Sequence, residues 1–389
     1  MGDYFKQSQA LAQASRHATP PIVGALPRIA INGRFLTQRA SGVQRFGAET
    51  IKAIDALLER DYAALKGRVE LLAPRTARDF PLKNIPLRRV GFFSGYAWEQ
   101  FEFPVHATGC LLLNLCMLGP LITRHQILVV HDATARALPD NFSARFRAAY
   151  GFLLPRLCRR ADLVITVSEF SRREIGKWYG ADIGKMPICY EGANHITDVA
   201  ADPAVLSRLN LVGRKFFLGV GVDSANKNIA TVVAAFHKAK FADTVLVLTG
   251  ARDPKVFGRI MHIHSEGVCM VGFISDAELR SLYEHALALV FPSLYEGFGL
   301  PPLEAMTCGC PVIISEQPAL SEVCGDAALR CPAEDTVQIM KHMQALHGDA
   351  GLRARLVAAG KERVRRFSWE ATARCLLDHC LALEARRAA

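Results

Sequence analysis

The stretch that most constrains this chain of 389 residues is FPSLYEGFGLPPLEAM, from Phe291 to Met306. A short apolar run, Ala286 to Phe291, leads into it and is typical of a buried strand. Two glycines and two adjacent prolines follow, and a helical pattern then ends near the segment Cys308 to Pro311. Pro311 to Ile314 predicts the next strand. This order predicts one βαβ step and therefore a parallel α/β fold.

The same stretch predicts the kind of ligand. Glycines let backbone N–H groups approach a ligand closely, and a helix N-terminus adds a partial positive charge. Glu296 and Glu304 lie on either side of the turn. Amides suit phosphates and carboxylates suit hydroxyls, so the pattern favours a phosphorylated sugar. A purely structural role for Glu304 stays open, because a Glu near the third position of a helix satisfies free N–H groups.

The two carboxylates and the glycines between them resemble the Glu-x7-Glu signature of retaining, nucleotide-sugar-dependent glycosyltransferases of family 4. The resemblance covers almost all of residues 28–385 and is closest in character to bacterial α-mannosyltransferases of exopolysaccharide and lipopolysaccharide synthesis. It implies an α/β fold called GT-B, in which two Rossmann-like domains have parallel sheets that face each other across a cleft.

Length and composition agree with two globular domains. The chain is too long for one ordinary core, and 50% hydrophobic with 22% charged residues excludes a disordered protein. We expect an N-terminal tail at 1–27, an acceptor-binding domain at 28–197 and a nucleotide-sugar-binding domain at 198–366. The segment 367–389 is expected to form a helix that crosses back to the N-terminal domain.

Cysteine usage and hydropathy predict a cytoplasmic protein. Eleven cysteines, an odd number, do not form a disulfide framework, so we expect reduced and mostly buried thiols. The sequence has no run of 18 or more apolar residues, so no transmembrane helix is predicted. Asp3 and its polar neighbours argue against a secretory signal.

All of the formal net charge of +10 lies in the N-terminal half. Residues 1–195 hold 26 Lys and Arg against 16 Asp and Glu, whereas the remainder holds 21 of each. This bias predicts a basic face for an anionic membrane surface or for a diphosphate-bearing acceptor, although a solvated surface can also carry it. The sequence contains no nucleic-acid-binding motif, so no nucleic acid partner is expected.

Aromatic residues crowd one stretch of the same half: Phe92, Phe93, Tyr96, Trp98, Phe101 and Phe103. The segment Trp98-Glu99-Gln100 with Pro104 resembles one that is common among bacterial family 4 enzymes. Two interpretations stay open, namely a packed core under a helix, or rings that line an acceptor site or enter lipid headgroups.

Polar residues that follow strands predict the N-terminal half of the site. His131 and Asp132 end the buried strand Gln126 to Val130, and Ser168 follows the strand Ala161 to Val167. Residues that follow parallel strands lie at the carboxyl edge of the sheet, which is where ligands bind in open α/β folds. Ser168 also suits the cap of the next helix. Gly42 and Arg45 belong to a glycine turn before a helix that runs to Leu58, where the resemblance implies contact with acceptor phosphate.

The second half begins with a phosphate-type loop. The strand Phe216 to Val220 leads into Gly221 and Lys227, and a helix from Ile229 to Lys238 follows. The loop is neither GxGxxG nor Walker A. It resembles the Gly…Lys-Asn loop of family 4 but has Val222 and Asn226 where an Arg often flanks the lysine. A second departure from the family is Glu191-Gly192, which replaces an Asn-Gly step near the linker.

The resemblance assigns a role to each residue. His131 and Glu296 are the expected catalytic residues and act on the donor sugar. The expected donor-binding residues are Gly221, Lys227, Gly297, Phe298, Gly299, Leu300 and Glu304. Lys227 and the amides of 297–300 would bind the diphosphate, and Glu304 the ribose hydroxyls. Gly42, Arg45, Asp132 and Ser168 are the expected acceptor or cleft residues.

The implied reaction retains the anomeric configuration without a metal or other cofactor. The expected donor is GDP-mannose, with UDP-glucose, UDP-N-acetylglucosamine and GDP-fucose as alternatives. The expected acceptor is a glycan on polyprenyl diphosphate, used at the inner face of the cytoplasmic membrane. Two other classes stay open. A sugar phosphorylase would need a pyridoxal-binding lysine and usually a longer chain, and a non-catalytic membrane-surface protein would leave Lys227 and the carboxylates unexplained.

Overall fold

The computed structural model describes residues 26–39, 41–221, 224–250 and 266–388. The predictions for most of the tail at 1–27 and for Val222 lie outside these residues. The strands are β1 (Ile29–Asn32), β2 (Val69–Ala73), β3 (Leu87–Arg89), β4 (Leu111–Asn114), β5 (Gln126–Val129), β6 (Leu163–Ile165), β7 (Lys215–Val220), β8 (Thr244–Thr249), β9 (Val268–Gly272), β10 (Ala288–Phe291), β11 (Val312–Ser315) and β12 (Leu329–Cys331).

The helices are α1 (Gly42–Leu57), α2 (Gly95–Ala97), α3 (Phe103–His106), α4 (Thr134–Ala137), α5 (Ala144–Arg160), α6 (Glu169–Tyr179), α7 (His195–Asp198), α8 (Ala204–Arg208), α9 (Ile229–Ala239), α10 (Asp276–His285), α11 (Leu300–Thr307), α12 (Pro318–Cys324), α13 (Thr336–Gly348), α14 (Ala350–Val364) and α15 (Trp369–Ala388). A π-helical turn, Trp98–Glu102, joins α2 to α3. In the described ranges no helix combines the length and the apolar character needed to cross a bilayer.

The described strands form two parallel sheets of six strands each. Their orders are β3-β2-β1-β4-β5-β6 and β12-β11-β10-β7-β8-β9, so both sheets are wound in the same way. Helices cover the faces, and the inward side chains of the strands form the core. The predicted pair of Rossmann-like α/β folds is confirmed. In such sheets ligands bind where the strand order reverses, which is between β1 and β4 and between β7 and β10.

The first strand differs from its predicted extent. The apolar pattern predicts extended chain from Pro27 to Leu36, but β1 ends at Asn32 and a 3-10 turn follows at Arg34–Thr37. A side chain at Gly33 would put its Cβ 2.6 Å from the carbonyl oxygen of Leu72, so the chain turns where the neighbouring strand approaches most closely. The short strands β3, β4 and β12 are absent from the sequence-based prediction.

The aromatic stretch divides between the two predicted roles. Trp98 and Phe103 are fully buried and stack with their ring centroids 5.3 Å apart, as expected of a packed core. Phe92, Phe93 and Phe101 are exposed, with 84%, 55% and 64% of their surface accessible. The stretch therefore anchors itself with two rings and presents others to solvent.

The last helix, α15, packs against α1 of the first sheet. Tyr62 Oη donates a 2.6 Å hydrogen bond to Asp378 Oδ1, and Arg60 Nη2 lies 3.0 Å from Glu370 Oε2. The chain thus returns to the N-terminal layer after completing the second sheet.

This return corrects the prediction that all cysteines are reduced. Cys189 and Cys375 form a disulfide across 186 residues of sequence, while the other nine cysteines are free thiols. Sequence spacing cannot reveal such a pair, because only the packing of α15 brings the two residues together. His379 lies beside these sulfurs, and this is the one cluster with metal-ligand spacing among the residues that the structure describes.

We predict that a thiol reagent labels nine cysteines in the denatured, unreduced protein and eleven after reduction. The Cys375→Ser variant is the control, since it leaves Cys189 without its partner and should label equally before and after reduction. Mass spectrometry would count the labels. Eleven labels on the unreduced wild-type chain would contradict the disulfide.

Candidate active site

Two loops meet where the strand order of the second sheet reverses. One follows β7 and contains Lys227; the other follows β10 and contains Glu296. Asn226 joins them: its side-chain amide donates to the carbonyl oxygen of Tyr295 at 2.8 Å, and its own carbonyl accepts from the amide of Leu294 at 2.7 Å. Because the loops are bonded through main-chain atoms, the positions of their side chains relative to each other are well defined.

Lys227 and Glu296 form an ion pair at this junction. Lys227 Nζ lies 2.6 Å from Glu296 Oε1, and Ser293 Oγ donates to the same oxygen at 2.5 Å. The two side chains retain 17% and 12% of their surface accessible. Gly221 has a positive φ of 85° and lies behind the lysine, where an added Cβ would be 3.3 Å from Lys227 Cε. The site therefore holds a cation and a carboxylate in contact beside the glycine loop.

The glycine loop turns directly into α11. Gly299 has a φ of 114° in the left-handed region, and an added Cβ there would lie 2.6 Å from Leu320. Pro301 and Pro302 in the first turn carry no N–H group, so Leu300 supplies the amide that opens the helix. The turn directs the positive end of α11 toward the junction of the two loops.

The same loop touches the first sheet at Gly297. Its carbonyl oxygen accepts hydrogen bonds from Ser168 Oγ at 2.6 Å and Ser171 Oγ at 2.9 Å. An added Cβ at this glycine would lie 2.7 Å from the carbonyl oxygen of His131 and 3.0 Å from Asp132 Cβ. The structure thus brings three predicted cleft residues of the first domain against the glycine loop of the second. Ser168 also accepts from the amide of Ser171, which confirms its predicted cap of α6.

His131 lies in the cleft wall with both ring nitrogens engaged. Nε2 lies 2.8 Å from the carbonyl oxygen of Leu115, and Nδ1 lies 3.5 Å from Glu191 Oε1. The ring is 4% exposed and packs edge-on against Phe46. Burial raises the pKa of Glu191, and the bond to His131 opposes this rise. Glu191, which belongs to the step that departs from the family pattern, is therefore the partner of His131, the predicted catalytic histidine.

Arg45 connects the two domains. Its guanidinium makes two hydrogen bonds, 2.7 and 2.6 Å long, to the carboxylate of Asp276 at the start of α10. Burial acts to raise the pKa of Asp276, but the bonds from Arg45 outweigh it and lower the pKa. Gly42 opens α1 on the exposed side with no atom within 4 Å of an added Cβ. The two predicted acceptor residues thus differ, since only Arg45 reaches across the cleft.

Glu304 is buried in α11 and bonded on both oxygens. Oε1 lies 2.9 Å from His195 Nε2, and Oε2 accepts from Tyr283 Oη at 3.2 Å. Burial and the charge of Glu304 raise the pKa of Tyr283 well above its usual value, so the phenol remains a donor. The predicted contact of Glu304 with ribose remains a prediction. Phe298, by contrast, packs against Tyr190 and Phe367 and offers only its main chain.

Sequence reasoning missed a buried ion pair where the first sheet reverses its order. Arg34 Nε lies 2.8 Å from Glu99 Oε1, which also accepts from Asn32 Nδ2 at 2.9 Å. Arg34 and Glu99 are 5% and 1% exposed. The signal was present in the segment around Trp98, but no pattern in the sequence joins residue 34 to residue 99. Gln317, also missed, supports the donor loop by donating to the carbonyl oxygen of Glu296 at 3.1 Å.

A comparison with known protein families finds a match over the segment that contains these loops. Residues 207–363, which contain Lys227, Glu296 and Glu304, match the family model described as Glycosyl transferases group 1. The match is confined to this part of the chain. The predicted resemblance to glycosyltransferases of this kind is confirmed.

The relatives of the glycosyl transferases group 1 domain include proteins of O-antigen synthesis. The chain is 33% identical over 221 residues to O-antigen chain mannosyltransferase B of Escherichia coli, which is 54% of this chain and 58% of that protein. It is 31% identical over 221 residues to O-antigen chain mannosyltransferase RfbU of Salmonella typhimurium, covering 56% of this chain and 59% of the relative. The matches span less than two thirds of either relative.

The fold as a whole resembles solved structures. A sucrose-phosphate synthase from Thermosynechococcus elongatus superposes with a TM-score of 0.71 at 21% identity, covering 93% of this chain and all of that one. At this identity the likeness shows the fold alone. It confirms the GT-B arrangement predicted from the sequence.

We predict that Gly297→Ala lowers the free energy of unfolding by about 1–3 kcal/mol, because the new methyl group must displace the main chain of His131. Urea denaturation measures the change. Gly348→Ala, at a position with open space around the added Cβ, is the control and should leave stability equal or slightly higher. Equal stability of Gly297→Ala and the wild type would show that the glycine loop does not meet the main chain of His131 as described.

Proposed function

We propose that the chain is a retaining glycosyltransferase that transfers a hexose from a nucleotide diphosphate to a glycan acceptor. The observation that carries this proposal is the contact between Lys227 and Glu296 at the switch point of the group 1 domain. A lysine there suits a diphosphate, and a carboxylate 2.6 Å away suits the sugar attached to it.

Each side chain has one task in the proposed reaction. Lys227 and the amides of 297–300 stabilise the negative charge that develops on the departing diphosphate. Glu296 positions the donor sugar and favours positive charge near its anomeric carbon. His131, across the cleft, contacts the sugar from the other side. Glu304 binds the ribose hydroxyls. Positioning and fixed charge supply the acceleration, with no metal, because Lys227 already provides the cation that the diphosphate needs.

The diphosphate would compete with Glu296 for Lys227. In the structure one oxygen of Glu296 accepts from both Lys227 and Ser293. A donor that binds Lys227 through phosphate oxygens weakens this pairing and leaves the carboxylate available to the sugar. Donor binding and the readiness of Glu296 are thus coupled in the proposed mechanism.

We propose GDP-mannose as the donor, on the strength of the similarity to two O-antigen mannosyltransferases. UDP-glucose, UDP-N-acetylglucosamine and GDP-fucose remain the alternatives. Calorimetric titration with this panel tests the choice: GDP-mannose should bind at least about tenfold more tightly than the others. Binding of a UDP-sugar with no response to GDP or GDP-mannose would overturn the donor assignment and leave the reaction class in place.

We predict that Glu296→Gln reduces transfer at least about 100-fold and leaves the affinity for GDP alone within about threefold of the wild type. The amide keeps the shape of the side chain but loses the negative charge that the sugar requires. Radiolabelled transfer and calorimetry measure the two quantities. Glu316→Gln, an exposed glutamate close by in sequence, is the matched control. Full transfer activity of the Glu296→Gln variant would contradict the catalytic role of Glu296.

We further propose that the acceptor glycan is linked to polyprenyl diphosphate and that the protein works on an anionic membrane surface at the cytoplasmic face. The apolar side chains that support this lie on three segments: Phe92, Phe93, Phe101, Val105 and Ile122, all more than half exposed. Hydrogen bonds hold the segments together. Glu102 accepts from the amides of Phe92 and Phe93, and the Gln100 side chain bonds Gly119 and Leu121.

Basic groups flank this apolar surface. The guanidinium of Arg75 lies 4.6 Å from the centre of the Phe92 ring, and Arg124 is exposed two residues from Ile122. Aromatic rings with arginines beside them suit the interface of a bilayer that contains anionic lipid. The surface belongs to the segment whose Glu99 pairs with Arg34 at the edge of the first sheet, so it adjoins the acceptor side of the cleft.

We predict that replacing Phe92, Phe93 and Phe101 by Ser lowers binding to vesicles with anionic lipid at least about tenfold, since each buried Phe contributes roughly 1.5–3 kcal/mol. Co-sedimentation measures the binding. The control replaces Val212 and Val337, exposed apolar residues of the second domain, by Ser. Undiminished sedimentation of the triple variant would contradict the membrane surface. A chain that binds vesicles but neither transfers nor hydrolyses any nucleotide sugar would instead be a non-catalytic membrane-surface protein.

A further inference from the structure

A line of three buried polar side chains connects the last helix to the donor domain. Trp369 is the first residue of α15, His195 lies where the chain crosses from the first sheet to the second, and Glu304 lies in α11. Their exposed fractions are 2%, 4% and 5%. The proposed mechanism uses only Glu304, which leaves the other two without a task.

The hydrogen bonds along this line have a defined direction. Trp369 Nε1 lies 3.0 Å from His195 Nδ1, and an indole nitrogen is only ever a donor. His195 Nδ1 must therefore be the unprotonated acceptor, so the hydrogen of the neutral imidazole is on Nε2. That nitrogen lies 2.9 Å from Glu304 Oε1, to which it donates. The indole thus selects the tautomer that can bond the carboxylate.

The second oxygen of Glu304 accepts from Tyr283, so each carboxylate oxygen receives one protein donor. A carboxylate has about two lone-pair positions on each oxygen. One position on each oxygen therefore has no protein donor, and the two oxygens belong to the same carboxylate. This arrangement matches two adjacent hydroxyl donors, as in a vicinal diol.

The main chain fixes the position of Trp369. Its amide donates to Asn194 Oδ1 at 3.0 Å, and an added Cβ at Gly192 would lie 2.2 Å from its nitrogen. The indole also packs against Phe46 of α1, with ring centroids 5.9 Å apart. The indole therefore contacts both the crossover segment and the first sheet's own helix.

We propose that Trp369 and His195 are positioning residues, which orient the ionised carboxylate of Glu304 for the ribose diol of the donor. The proposal rests on the proposed function, since it takes Glu304 as the ribose-binding residue. It adds that donor recognition depends on a residue of the last helix. The ring of His195 acts as a neutral donor and transfers no proton in the reaction.

The first test separates donor affinity from chemistry. Trp369→Phe keeps the ring in place and removes the N–H, so the imidazole can adopt either tautomer. We expect the KM for the donor to rise about tenfold, with kcat within about twofold of the wild type. His195→Leu should have the same effect. His195→Gln, unlike His195→Leu, should have the KM of the wild type, because its amide can accept from Trp369 and donate to Glu304. Trp178→Phe, which removes an indole N–H bonded to Glu174, is the matched control.

The second test reads the tautomer directly. The ¹⁵N chemical shifts of the His195 ring should report hydrogen on Nε2 in the wild type and a mixture in Trp369→Phe. Hydrogen on Nδ1 in the wild type would overturn the proposal. So would Trp369→Phe and His195→Leu proteins that bind donor as tightly as the wild type, or a loss of kcat with unchanged KM.

The outcomes distinguish this inference from the proposed function. If the wild-type protein binds no nucleotide sugar in calorimetry, the proposed function fails. If it binds one and the variants bind it equally well, only the role of Trp369 and His195 fails. If the variants melt at lower temperature and lose affinity and kcat together, and His195→Gln does not recover them, the residues are merely structural and the proposal is overturned.

Discussion

The approach of the glycine loop to the carboxyl edge of the first sheet determines the geometry of the candidate site. Residue 297 has no room for a side chain because the carbonyl oxygen of His131 lies where a Cβ would go. Two serine hydroxyls of the first domain bond its carbonyl oxygen. The main chain of Gly297 thus packs against the main chain of His131 and accepts two short serine hydroxyls, so the contact positions Glu296 on one side and His131 on the other.

Charge at the site is balanced in pairs. Lys227 faces Glu296, and Arg45 faces Asp276. Burying a charge without a partner is costly, and these pairs avoid that cost in a partly dry cleft. In the proposed reaction an anionic donor enters by replacing one carboxylate as the partner of a cation. Lys227 is the cation at the switch point, so the proposed exchange of its partners links donor binding to the availability of Glu296.

The last helix does more than cover the first domain. It packs against α1, is hydrogen-bonded to Tyr62 beyond the end of that helix, and is joined to Cys189 by a disulfide. Its first residue contacts the crossover segment and, through His195, the carboxylate of Glu304. The crossover segment and the last helix both pass between the sheets. They meet beside Glu304, the carboxylate that we propose to bind ribose. If Glu304 binds the ribose as we propose, the crossing helix acts in recognition as well as in stability.

The α/β class, the strand–loop–helix order around Lys227 and Glu296, and the family resemblance all follow from the amino-acid sequence alone. These depend on local periodicity and on glycine and proline chemistry within about twenty residues. The extents of most long elements followed in the same way, whereas the short strands β3, β4 and β12 were not predicted. The pairs that join distant segments could not be predicted: Arg34 with Glu99, Cys189 with Cys375, and His195 with both Trp369 and Glu304. Such pairs leave no periodic signal, because their geometry arises only when the two sheets and the returning helix have packed. Glu296 and Glu304 were recognisable from sequence, but what holds each of them was decided by the tertiary structure.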